Sequence, residues 1–283
     1  MPTAIVGDNA SDAVRQACQS LNRERTRGLL AIAQQTPPGE SIPADVWTTA
    51  FESAAREWEV PPIRLSHLGI VRDSDGFLVS NSLRALPPGA EAQPYADDAT
   101  RVVYKLFDLR ENGSLGKKLV FNDSEDGFEV DVADATWIDV LEKISLLNSG
   151  GGLPTEIVGL SDSGDFLIAK QPMASPWMDF LADREVAEDR MCGILPIGGG
   201  LRQRVFVTWV DDVFWLVGDL HDRNIMRDSA GVPAIIDALA GKVTPKARKR
   251  LFWLNRACED AKSFRENGSK PQNPMWEVCD DQL

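Results

Sequence analysis

The stretch VGDLHDRNIM, Val217 to Met226, decides how this chain is read. An apolar run passes directly into Asp219, His221, Asp222, Arg223 and Asn224. Two readings are open. One is a strand that ends in a polar turn. The other is a loop that carries chemistry. Asn224 lies five positions after Asp219, and a further carboxylate, Asp237, lies thirteen positions after Asn224 at the end of PAIID. Phosphoryl transfer to a hydroxyl needs parts of this kind. A carboxylate orients the attacking hydroxyl and accepts its proton. Oxygen ligands from an Asn and an Asp hold Mg²⁺, and a Lys holds the phosphates.

Composition narrows the partners. The 283 residues suffice for one large domain or two small ones. With 43% hydrophobic and 26% charged residues, the chain reads as a soluble globular protein. A net charge of −13 argues against nucleic acid, which needs a basic face. It does not argue against a nucleotide, which backbone amides, one Lys and a metal can hold. Cys18, Cys192, Cys258 and Cys279 form no CxxC pair and read as reduced thiols. The N-terminal residues lack a signal-peptide pattern, and no run reaches the ~18 apolar residues of a membrane span. The expectation is a cytoplasmic protein with no membrane partner.

Outward from the opening stretch, residues 1–75 read as an N-terminal helical extension. Val14, Ala17, Cys18 and Leu21 are helically spaced, and so are Trp47, Phe51, Ala54 and Trp58, before Pro61 and Pro62 stop the run. From residue 76 the texture changes. GFLVSNSLRAL, RVVYKLFDL and KKLVFND are short strand-like runs. DATWIDVLEKISLLNSGGG predicts a helix capped by Thr136 and ended from Gly150. TEIVGLSDSGDFLIAKQP predicts a hairpin. After residue 172, SPWMDFLADREVAEDRM predicts a helix, and RVFVTWV and VFWLVGD predict two strands around Asp211–Asp212. Thr244 and Pro245 open a final helix running to about Arg265.

In this order, VGDLHDRNIM…GVPAIIDA resembles the HGDLHxxNIL…xxxID pattern of aminoglycoside-phosphotransferase-like kinases. Together with PPGAEAQPY…RVVYKLF and LPTEIVGLSDSGDFLIAKQPM, residues 80 to 240 resemble the Ser/Thr/Tyr-kinase-like domain of bacterial and phage polyvalent proteins. The resemblance implies an α+β, two-lobed protein-kinase-like fold with an N-terminal helical extension. Its N-lobe would span 76–171 and its C-lobe 172–283. ATP and Mg²⁺ would be its cofactors, and a protein or small molecule its phospho-acceptor. Carried over residue by residue, Asp219 is the catalytic base, and Asn224 and Asp237 are the metal ligands. Lys105 contacts the α/β-phosphates with Glu142 as its partner. Gly89 to Glu91 form the phosphate-covering turn, and Gln171 to Met173 the hinge that meets adenine.

The sequence departs from that pattern in places. Val217 stands where a catalytic loop opens with His, the turn has one glycine, and Asp237 precedes Ala-Leu rather than Phe-Gly. These departures keep open a catalytically silent nucleotide-binding or interaction module of a phage or mobile element. Each residue also has a plainer reading. Lys105 would be a snorkelling surface lysine, Glu142 a solvated helix residue, and His221 a structural part of its loop.

Overall fold

The computed structural model describes residues 62–110, 113–124, 127–195 and 204–271. The helices expected between Val14 and Trp58 lie outside the described residues. The fold is mixed α+β, with sixteen strands and four α-helices among the described residues. The chain divides into two compact units.

The first unit holds, among described residues, 62–116, 135–148 and 154–173. Its chain begins with β1 (Pro62–Ile63), a 3-10 turn (Leu65–Leu68), β2 (Ile70–Arg72), β3 (Leu78–Ser80) and β4 (Arg84–Ala85). There follow β5 (Gln93–Asp97) and β6 (Val102–Asp108). Residues 62–75, expected as part of a helical extension, are thus strand and turn. Pro62 and Ile63 pair in parallel with Leu160 and Ser161, which makes β1 an edge of the main sheet. A proline tolerates that place because an edge strand need not donate on its outer side.

β7 (Lys117–Ser124) and β8 (Gly127–Asp134) form an antiparallel hairpin that belongs to the second unit. Helix α1 (Trp137–Gly150), β9 (Glu156–Ser161) and β10 (Phe166–Pro172) then complete the first unit, with the last two residues of α1 assigned to the second. The six-stranded sheet runs β1-β9-β10-β6-β5-β4. The expected β9–β10 hairpin is present. Strand alternation sorts the β6–β10 side chains onto two faces. Leu106, Phe166 and Ile168 pack with Tyr95 and Ile70 on one. Phe107, Leu167 and Ala169 meet Val140, Leu141 and Ile144 of α1 on the other. Thr136 starts α1 as expected. Its N–H donates to Asp139 Oδ2 at 2.7 Å, and its Oγ1 accepts from the Asp139 N–H at 3.4 Å.

The second unit continues with β11 (Ser175–Pro176), α2 (Phe180–Arg190), β12 (Phe206–Val210), β13 (Val213–Gly218), β14 (Ile225–Arg227), β15 (Pro233–Ile235) and β16 (Leu239–Lys242). It ends with α3 (Pro245–Arg250) and α4 (Phe252–Asn267). Asp211 and Asp212 have φ of 49° and 62°, the two left-handed residues of a tight β12–β13 connection. Leu254, Ala257, Cys258, Ala261 and Phe264 of α4 cover Val205, Val207 and Leu216. The hairpin β7–β8, expected in the N-lobe, joins this core through Leu119. A Cβ on Gly241 would stand 2.1 Å from the Leu119 carbonyl oxygen, so only glycine admits β7 there. One long final helix was expected, but Leu251 is extended (φ −106°, ψ 98°) and divides it into α3 and α4. No breaker in the sequence marks that division. Among the described residues no helix is long and apolar enough to cross a membrane.

Candidate functional site

The opening stretch becomes strand, loop, strand. β13 ends at buried Gly218, and Asp219 follows with φ of 62°. Asp is among the few residues with a side chain that reach this region at modest cost, and such strain gathers at functional sites. The carboxylate of Asp219 is 41% exposed. Asn224 is buried and directs its amide back. Nδ2 donates to the Asp219 carbonyl at 2.8 Å and lies 3.3 Å from Asp219 Oδ2. The Asn224 carbonyl accepts the Ile236 N–H at 2.9 Å. That bond continues the β14–β15 ladder, in which Ile225 faces Ile235. Asn224 and Asp237 therefore stand at the same open end of one hairpin, beside Asp219. The three residues expected to act together lie in one unit and share one loop system.

The loop is braced from the segment before α2, and the hairpin beyond it from α2 itself. Trp177 Nε1 donates to the Asp222 carbonyl at 3.0 Å. Arg227 on β14 grips Asp183 with two bonds of 2.7 and 2.6 Å. These hydrogen bonds hold the Asp183 carboxyl below its usual range, against the upward push of burial. Arg190 reaches Asp228 Oδ2 at 3.1 Å and the Pro233 carbonyl at 2.9 Å, fixing the hairpin turn. None of these braces was foreseen from sequence.

Asn224 Oδ1 and the Asp237 carboxylate are hard oxygen donors of the type that Mg²⁺ accepts. The Asn224 amide nitrogen is already turned to Asp219, which leaves the amide oxygen as the donor for a cation. Asp237 Oδ1 also takes the Ala238 N–H at 2.8 Å. Among the described residues no group of three or more His, Cys, Asp and Glu forms an all-protein cage. One Asn and one Asp completed by phosphate oxygens is the mode this donor set suits.

The other expected residues lie in the first unit. Lys105 on β6 pairs across with Ala169, on the same sheet face as Phe107 and α1. Glu142 sits on α1, roughly 180° around the helix from the middle of the face holding Val140 and Ile144, at about 100° per residue. Beside it, α1 makes an ion pair with the expected phosphate-covering turn. Lys143 Nζ hydrogen-bonds Glu91 Oε2, with both side chains only 10% exposed. Gly89 N–H donates to the Ala92 carbonyl at 3.1 Å, and Ser114 Oγ to the Ala90 carbonyl at 2.6 Å, so the turn is tied down. It borders a cleft of about 330 Å³ with Arg72, Phe77, Arg110 and Phe166. That cleft opens on the Leu106 face of the sheet, whereas Lys105 is on the opposite face.

At the expected hinge, Gln171 is buried and its Nε2 donates to Thr155 Oγ1 at 2.6 Å. The Met173 N–H donates to the Arg101 carbonyl at 2.8 Å. Both groups are spent on the fold. The first unit nonetheless ends at Met173, where the sequence placed the hinge.

No protein-family model, curated protein or solved structure matches this chain.

Proposed function

We propose that this chain is an ATP- and Mg²⁺-dependent phosphotransferase acting on a hydroxyl of a protein or small molecule. The observation that carries the reading is that Asn224 and Asp237 flank the same end of the β14–β15 hairpin, with Asn224 Nδ2 3.3 Å from Asp219 Oδ2. Asp219 accepts the proton of the attacking hydroxyl. Asn224 Oδ1 and the Asp237 carboxylate would hold Mg²⁺, which neutralises phosphate charge when bound. Lys105 would contact the α/β-phosphates. The resemblance to kinase-like domains of polyvalent proteins supports the same reading, and with it a cytoplasmic, phage or mobile-element setting.

One observation favours a silent nucleotide-binding module instead. The turn expected to cover the phosphates carries a carboxylate, Glu91, already engaged by Lys143. A turn that brings a carboxylate and has its cation occupied is a poor phosphate cradle. Calorimetry with ATP separates the outcomes. Mg²⁺-dependent binding that weakens in Asp237→Ala supports a metal-nucleotide site. No metal-dependent binding up to millimolar nucleotide removes the phosphotransferase reading. Binding without transfer to any hydroxyl acceptor leaves the silent module.

A further inference from the structure

We propose that His221 is a positioning residue that presents one chosen oxygen of Asp219 to the acceptor hydroxyl. The proposal rests on the phosphotransferase reading and names a residue that reading does not use. The Arg223 backbone N–H donates to His221 Nδ1 at 3.1 Å. Nδ1 is therefore an acceptor, and a neutral ring carries its proton on Nε2. Nε2 stands 3.8 Å from Asp219 Oδ2. Asn224 Nδ2 lies 3.3 Å from that same oxygen. Asn224 thus hydrogen-bonds Oδ2 while the His221 ring faces the same oxygen at ion-pair distance, and among the described residues no hydrogen bond goes to Oδ1. With one oxygen claimed, the carboxylate turns the other toward the acceptor.

The 3.8 Å separation is an ion-pair distance, longer than a hydrogen bond. The ring is 40% exposed, and the proposal requires it to close that gap when the acceptor binds. The other charged group facing the ring is Asp222, whose Oδ1 is 3.6 Å from Nδ1. Trp177 holds the Asp222 carbonyl, so the loop that carries the ring is fixed at its back. The competing account is that His221 only caps its own turn through Arg223. Position matters far more for the first role than for the second. Misplacing a reacting group by about 1 Å can cost ~10²-fold in rate.

Two conservative variants separate the accounts. In His221→Asn the amide oxygen replaces Nδ1 and keeps the Arg223 bond, but nothing remains at the Nε2 position. In His221→Gln an amide N–H reaches the Nε2 position. We expect His221→Asn to lower kcat by roughly 10-fold or more with KM for ATP within about twofold, and His221→Gln to recover most of that loss. A kcat for His221→Asn equal to wild type would reduce the residue to a turn cap. Equal losses in Asn and Gln would also overturn the proposal.

A second measurement needs no turnover. The chain has two histidines, His67 and His221, so long-range ¹H–¹⁵N spectra of the full chain read each ring directly. His221→Gln assigns the signals. A proton on Nε2 is expected. A proton on Nδ1 would sink the role of His221 even in an active kinase. Wild type that transfers no phosphate to any acceptor, with the proton on Nε2, would sink the kinase reading and the positioning role together.

Discussion

The two units use their carboxylates in opposite ways. In the first, Glu91 is buried against Lys143, and the pair ties a turn to a helix. In the second, Asp183, Asp228 and Glu188 are gripped by Arg227, Arg190 and Arg204, and these pairs hold α2 to the strands around it. Yet beside those braces the second unit keeps Asp219 partly exposed, touched by an amide and an imidazole rather than by Lys or Arg. A carboxylate locked in a strong pair builds structure, whereas one held only by weak donors keeps an oxygen for a ligand. The difference fits the proposed role of Asp219 as the carboxylate that meets a ligand, and it makes Glu91 a structural one.

Three experiments can break or sharpen that contrast. The largest effect falls on Asp219. Asp219→Asn should bind MgATP about as well as wild type and lose ~10²–10⁴ in rate, the usual worth of general-base assistance. Radiolabelled γ-phosphate transfer, read beside nucleotide affinity, checks it. Undiminished transfer would return Asp219 to the structural class.

Next comes the buried pair of the first unit. Lys143→Met removes the cation from a buried carboxylate, at a cost of about 3–5 kcal/mol in stability. Lys143→Met with Glu91→Leu should restore most of it, because a well-packed apolar pair replaces the ions. Denaturant unfolding of wild type, single and double variants gives the answer. A double variant as unstable as the single one would mean that Glu91 does more than answer a charge.

The smallest effect is pH-dependent. Arg227 holds the Asp183 carboxyl below its ordinary value of 3.8. A carboxylate depressed in the folded state contributes stability above its unfolded pKa, and loses it as pH falls through the folded value. Asp183→Asn should therefore lower Tm by roughly 2–4 °C at neutral pH. Below pH 3.8 the gap to wild type should close. Melting curves over that range test the sign. A gap that widens in acid would show that the Arg227 bonds do not depend on the charge.

Local pattern carried a good part of this structure. Helix α1 was legible because Thr136, the Val140–Ile144 face and the glycines after it all agree. The Asp211–Asp212 connection and the spacing of Asp219, Asn224 and Asp237 were legible because a hairpin converts sequence spacing into spatial proximity. What stayed hidden depends on partners far apart in sequence. Glu91 and Lys143 are 52 positions apart, and α1 offered Glu142 beside Lys143 with no local sign of which one turns toward the turn. Arg227 and Asp183 are 44 apart. The strand GFEVDVAD received no assignment from the sequence, although it forms β8 opposite β7. The docking of β7–β8 on the second unit turned on a single glycine, Gly241, whose significance appears only once Leu119 is beside it.

Arg265 on α4 has a further consequence. Its guanidinium donates to the carbonyls of Gly150, Met191 and Trp209, at 3.1, 2.7 and 3.3 Å. Those oxygens belong to the end of α1, the turn after α2 and strand β12. A single cation thus ties three chain segments to α4, and unfolding of α4 removes a donor from all three at once. Native-state hydrogen exchange should therefore show these segments losing protection together when α4 opens.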